Sequence, residues 1–142
     1  MAPKAAQTNA MVAVPSVTLL RDRLASGALD ALALVEHYIA RIEAREPDVG
    51  AWAWFDPEFA RAQARTLDAF RRAGRPLGRL HGLPVGLKDI IDTVRIPTEN
   101  GCVRDADRVP LRDAFIVERL KKEGAIIMGK TVTTELAFMH PG

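Results

Sequence analysis

The feature that most limits how this chain folds is a pair of short apolar runs, punctuated by glycine and proline, with one amphipathic segment between them. The first run is His81-Gly82-Leu83-Pro84-Val85-Gly86-Leu87-Lys88-Asp89-Ile90-Ile91-Asp92. Its glycines and proline stand too close together for a helix interior, so it predicts a buried strand leaving a turn. The second run, Ala125 to Met128, predicts another buried strand. Residues 93–111 carry Pro97, Gly101 and Pro110 and read as loop. Asp113 then caps a helix with Phe115 or Ile116, Val117 and Leu120 facing inward, and Gly124 ends it. Strand, helix, strand in that order predicts a parallel βαβ unit, hence an α/β fold.

Helices precede that unit. From Thr18 the pattern is helical, with Leu19, Leu20 and Leu24 on one face and Gly27 closing the last turn. Asp30 caps a longer helix to about Glu46, with the stripe Leu32, Val35, Ile39 and Ile42 and with Pro47 as its stop. Glu36, Arg41, Glu43 and Arg45 lie off that stripe and read as a solvated face. Ala51 to Phe55 predicts a short strand, and Asp56-Pro57 opens a helix to about Arg72 with Ala60, Ala64, Leu67 and Phe70 inward. Arg71, Arg72, Arg75 and Arg79 gather at its end, where the helix dipole favours cations. Residues 1–15 are small, polar and aperiodic and read as a disordered leader; the apolar run Met11–Val14 is too short for a signal segment. Residues 16–142 are expected to belong to one domain.

Composition narrows the function. Lys and Arg number 20 against 18 Asp and Glu, a net charge of +2 that is no nucleic-acid footprint. No stretch approaches the ~18 apolar residues of a membrane helix. The single cysteine, Cys102, precludes an internal disulfide and a cysteine-based zinc site. His37, His81 and His140 are too far apart for a ligand set, so no metal and no cofactor is expected. A reducing, cytoplasmic setting follows by default.

Gly124-Ala125-Ile126-Ile127-Met128-Gly129-Lys130-Thr131 matches the phosphate-binding pattern G-x-x-x-x-G-K-[ST] letter for letter. That chemistry needs a strand before the first glycine, a loop between the glycines and a helix at Lys-Thr. Here a helix precedes, Ala-Ile-Ile-Met suits a sheet interior, and Thr-Val-Thr-Thr is a poor helix start. The match is rejected as a nucleotide site.

Lys88 is harder to assign to a solvated surface. It shares a strand face with Gly86, which clears space beside it, and apolar residues flank it on both sides. The flanks predict a desolvated ammonium, and desolvation favours the neutral amine, which serves as a general base where an exposed ammonium does not.

Leu80 to Asp92, then Pro97-Thr98-Glu99-Asn100-Gly101, then Asp113 to Thr131 and Thr134-Glu135-Leu136-Ala137-Phe138 together resemble the amidase signature family over about residues 18–142. The resemblance implies a large mixed sheet flanked by helices, of which this chain holds N-terminal helices and a βαβ portion. It implies hydrolysis of amide bonds by a Ser–cis-Ser–Lys triad through an acyl-enzyme, with Lys88 as the matching lysine. The family's serine-rich segment is expected after the last residue here, since Ser16 and Ser26 match no such segment. The 142 residues alone are therefore expected to be inactive. The strand near Ala125–Gly129, without its family neighbours, is expected to expose an apolar edge that invites self-association. Thr131-Val132-Thr133 departs from the Thr-Asn and following proline of many members.

By position, Phe138, Met139 and His140 are expected to line the substrate entrance. The implied substrate is a small-molecule amide, with neither nucleic acid nor membrane as partner. The chain is expected to pair with a second copy or with a chain carrying the serines. Two other functions are consistent with the residues: a complementing module without chemistry, or the glutamine-hydrolysing subunit of a tRNA-dependent amidotransferase. Lys88, Glu99 and Cys102 are also the residue types of the nitrilase triad, but bunched and in another order. Cys102 reads instead as a small buried hydrophobe, and His81 as a turn residue beside Gly82.

Overall fold

A computed structural model describes residues 15–138, so the expected leader lies almost wholly outside it. Helix α1 spans Val17–Ser26, α2 Ala31–Val49, strand β1 Trp52–Phe55, α3 Pro57–Arg72, β2 Pro84–Lys88, α4 Phe115–Lys122 and β3 Ile126–Thr131. Short 3-10 turns lie at Val103–Asp105 and Glu135–Ala137.

The helix ends follow local chemistry where a side chain is free to supply it. Ser16 accepts from the Leu19 N–H at 3.2 Å to open α1. Asp56 accepts from Glu58 and Phe59 to open α3, with Pro57 in its first turn. Three expectations are corrected. Pro47 does not end α2: a proline fixes a φ that suits a helix and removes only its own N–H, and the helix runs on until Gly50 caps it, its N–H bonded to the Glu46 carbonyl. Asp30 makes no side-chain cap, because Arg71 takes its carboxylate at 2.7 Å; the buried Asp68 of α3 accepts instead from Ala31 and Leu32 at 2.8 and 3.0 Å. Asp113 does not cap α4, because its oxygens are taken by the Val94 N–H at 2.8 Å and by Lys121 at 2.7 Å.

The βαβ unit is present: β2 and β3 pair in parallel, with α4 between them in sequence. The sheet order is β1-β3-β2, with β1 antiparallel to β3. The expected edge at Ala125–Gly129 is therefore wrong, since β1 takes the side of β3 that β2 leaves free. Among the described residues the sheet edges belong to β1 and β2.

Alternation along β3 divides the core in two. Ile126 and Met128 pack with Leu20, Leu24, Val35 and Ile39 of α1 and α2. Ile127 packs with Leu87, Ile96 and Val117 under α4. Phe115 and Ile116 are exposed, and only Val117 and the half-buried Leu120 of α4 face inward. Strand β2 is less buried than expected, with only Leu87 fully enclosed.

Candidate active site around Lys88

Lys88 is the last residue of β2 and stands opposite Thr131 of β3. Its face of the strand also carries Gly86, where a Cβ would lie 3.2 Å from the Trp52 ring and 3.4 Å from the Thr131 methyl. The space expected beside Lys88 is not open: the Trp52 ring and the Thr131 methyl fill it. Nor is the ammonium desolvated: Lys88 is exposed. The apolar residues that follow it do not cover it, because the chain turns at Asp89, and Ile90 itself is exposed while Ile91 folds to the other cluster.

An open groove of about 600 Å³ runs along this face and ends at Gly86, two residues before Lys88. Tyr38, Ile42, Trp52, Val85 and Met128 give it an apolar lining, with Arg41 and Arg45 on its rim. Lys88 itself does not line this groove, which along β2 takes in Pro84, Val85 and Gly86. Among the described residues the serines are Ser16 and Ser26, at the two ends of α1.

The lysine that sequence reasoning missed is Lys130. Its side chain is fully buried, with Nζ 3.2 Å from Asp89 Oδ1 and 2.6 Å from Thr98 Oγ1. Burial pushes its pKa down, opposed by the carboxylates of Asp89 and Asp92. Gly129 and Lys130 lie within β3 and the Lys130 side chain is fully buried, so the phosphate-loop pattern has neither the loop nor the accessible amine it needs. In sequence Lys130 follows Ile126, Ile127 and Met128, an apolar setting like that of Lys88, and that setting alone does not tell the two apart.

Asp89 anchors the loop that follows. Its N–H donates to the Thr131 carbonyl, its own carbonyl accepts from Asn100, and Oδ2 accepts from Glu99. Arg108 clamps the same loop, bonding both Asp92 oxygens at 2.8 and 2.9 Å and the Thr98 carbonyl at 3.1 Å. This pairing holds the Asp92 pKa below its ordinary value.

Phe138 is exposed and follows the Glu135–Ala137 turn; Met139 and His140 lie outside the described residues. The Leu136 N–H donates to the Asn100 carbonyl at 2.7 Å, so this turn rests on the loop that Asp89 holds. Cys102 is half-buried, not interior, because its Sγ faces the Glu135 carboxylate at 3.4 Å. His81 is a buried turn residue; desolvation lowers its pKa, Arg71 adds to this and Asp68 opposes it. Among the described residues no set of three or more His, Cys, Asp or Glu is placed to hold a metal. No described helix is long and apolar enough to cross a membrane.

Comparison with known proteins places this geometry. The chain is 39% identical over 123 residues to the A subunit of glutamyl-tRNA(Gln) amidotransferase from Chloroflexus aurantiacus, covering 87% of this chain and 25% of that protein. It is 43% identical over 116 residues to the corresponding protein of Streptomyces coelicolor, covering 82% of this chain and 23% of that protein. The native peptide amidase of Stenotrophomonas maltophilia superposes with a TM-score of 0.79 at 35% identity, over 87% of this chain and 26% of that one. The chain thus spans about a quarter of the length of the relatives it matches. The family model for the Amidase family matches residues 33–141, which include β2, Lys88 and β3. With most of its length inside that match, the chain belongs to the amidase family.

Proposed function

We propose that the protein hydrolyses a carbon–nitrogen amide bond and that Lys88 is its catalytic lysine. The observation that carries this reading is the position of Lys88 at the end of β2, inside the segment the family matches; exposed as it stands here, its amine becomes a base only where the rest of the domain covers and desolvates it. In the proposed reaction the amine of Lys88 takes a proton through a cis-serine from a nucleophilic serine. The serine oxygen attacks the amide carbonyl and backbone N–H groups hold the oxyanion; the C–N bond then breaks, the amine leaving with the proton that Lys88 returns through the cis-serine, and water hydrolyses the acyl-enzyme to the acid and frees the serine. Both hydroxyls come from a serine-rich segment outside these 142 residues, and residues 16–142 are the part of the domain that supplies the base. The substrate is a small-molecule amide, the setting cytoplasmic, and the mechanism uses no cofactor.

A positioned general base contributes about 10²–10⁴-fold, and only when a nucleophile receives its help. In the protein expressed from its whole reading frame, Lys88→Ala is expected to abolish ammonia release from an amide with little loss of stability. Lys88→Arg is expected to fail as well, since a guanidinium does not deprotonate near neutral pH. Near-wild-type kcat in Lys88→Arg sinks the assignment.

The similarity to the amidotransferase proteins favours a second reading, in which the amide is glutamine and partner subunits are required. Glutamine hydrolysis that appears only on adding such partners supports it. Turnover of simple amides by the protein alone supports the first.

A further inference from the structure

Lys130 is a fully buried side chain that the proposed hydrolysis leaves unused. Burying an ammonium is costly unless it is paired, and a buried pair is often no more stable than an apolar replacement. Stability alone is thus a weak account of why a lysine stands here. Its position suggests another. Its two partners are the Asp89 carboxylate and the Thr98 hydroxyl, and Asp89 is the residue after Lys88.

Asp89 is held from four sides. Its N–H bonds the Thr131 carbonyl at 2.9 Å, its carbonyl accepts from Asn100 at 2.9 Å, Oδ2 accepts from Glu99 at 3.1 Å, and Oδ1, which accepts no hydrogen bond, makes an ion contact with Lys130 Nζ at 3.2 Å. Lys130 and Thr131 are consecutive in β3, so one strand supplies both the ammonium and the carbonyl. In the sheet Lys130 stands opposite Leu87 and Thr131 opposite Lys88. Leu87 and Lys88 point to opposite faces. The clamp therefore closes on the covered face while Lys88 projects from the open one. The charged groups acting on Lys130 are Asp89, Asp92 and Arg108, and Arg108 is itself taken up by Asp92.

We infer that Lys130 is a positioning residue for Lys88: through Asp89 it fixes the peptide that ends β2, and so the point from which the Lys88 amine reaches into the site. The inference rests on the reading of Lys88 as the base. It also gives the phosphate-loop look-alike its role, as the strand lysine that pairs the carboxylate next to that base.

The test compares Lys130→Met, Asp89→Asn and the double variant, in the protein expressed from its whole reading frame. Each single change is expected to lower kcat on an amide substrate roughly tenfold or more, with KM nearly unchanged, since small misplacements of a reacting group are costly. The double variant is expected to be about as slow as the slower single, because both changes open the same clamp. Hydrogen exchange at the amides of Asp89, Glu99 and Asn100 is expected to quicken roughly tenfold or more, with Ile126 and Ile127 unaffected. Unchanged exchange at those three amides overturns the proposal. So does faster exchange with wild-type kcat, and so do single losses that multiply in the double variant. If Lys130→Met does not fold, Asp89→Asn carries the test by itself, with kcat and with exchange read at residue 89 and at Asn100, because asparagine keeps an acceptor for the Glu99 N–H. Failure of the Lys88 reading looks different: Lys88→Arg then retains kcat whatever Lys130 does.

Discussion

Two buried titratable side chains show how single residues hold this structure. Asp68 satisfies two N–H groups in the first turn of α2, in the interior and from another helix. Asp68→Ala leaves one buried and one half-buried donor unpaired, and urea titration is expected to show a loss of about 1–3 kcal/mol. His81 acts in the other direction. Its folded pKa lies below the ordinary 6.5 because burial disfavours the imidazolium. Between those two values the unfolded chain binds the extra proton, so stability rises with pH there. Stability is expected to be fully present above about pH 6.5 and to fall below it, and His81→Gln is expected to flatten that slope in thermal melts. A slope that persists in His81→Gln would assign it to other groups. Neither role was legible in the sequence. Asp68 looked like one more polar residue on a helix, and the histidine beside Gly82 showed its turn but not its depth.

At the scale of elements, the centre of the sheet depends on Gly129. A Cβ there would meet the Trp54 carbonyl and come within about 3.0–3.1 Å of the Trp52 ring. Gly129→Ala is expected to destabilise by roughly 1–3 kcal/mol, as overpacking does, and to loosen β1 first. Hydrogen exchange at the β1 amides checks this, and protection equal to wild type there would count against it. The helices were readable because their apolar spacing, caps and closing glycines are local: Gly27 and Asp56 act where the sequence puts them. The misses came where distant groups compete for the same carboxylate. Arg71 claims Asp30, and Val94 with Lys121 claim Asp113, so neither serves the helix it precedes.

At the scale of the whole molecule, the 142 residues carry Lys88 but no serine-rich segment, and they are expected to release no ammonia from amides on their own. Turnover by this chain that is lost in Lys88→Ala would contradict that. Mg²⁺–ATP is expected to show no heat of binding in calorimetry, since the amine a phosphate would need is enclosed by Asp89 and Thr98. The free edges of β1 and β2, with Phe115 and Ile116 exposed on α4, are expected to drive association of the isolated chain, visible by sedimentation. The α/β class, the parallel βαβ unit and the family were all present in the order of residues, because periodicity, glycine punctuation and short motifs are properties of neighbours along the chain. Which lysine is buried was not. Lys88 and Lys130 each sit among apolar residues in sequence, and each looks equally enclosed. Their environments separate only when β3 settles between β1 and β2, for that pairing sets Lys130 against Asp89 and Thr98 and leaves the Lys88 face open to solvent.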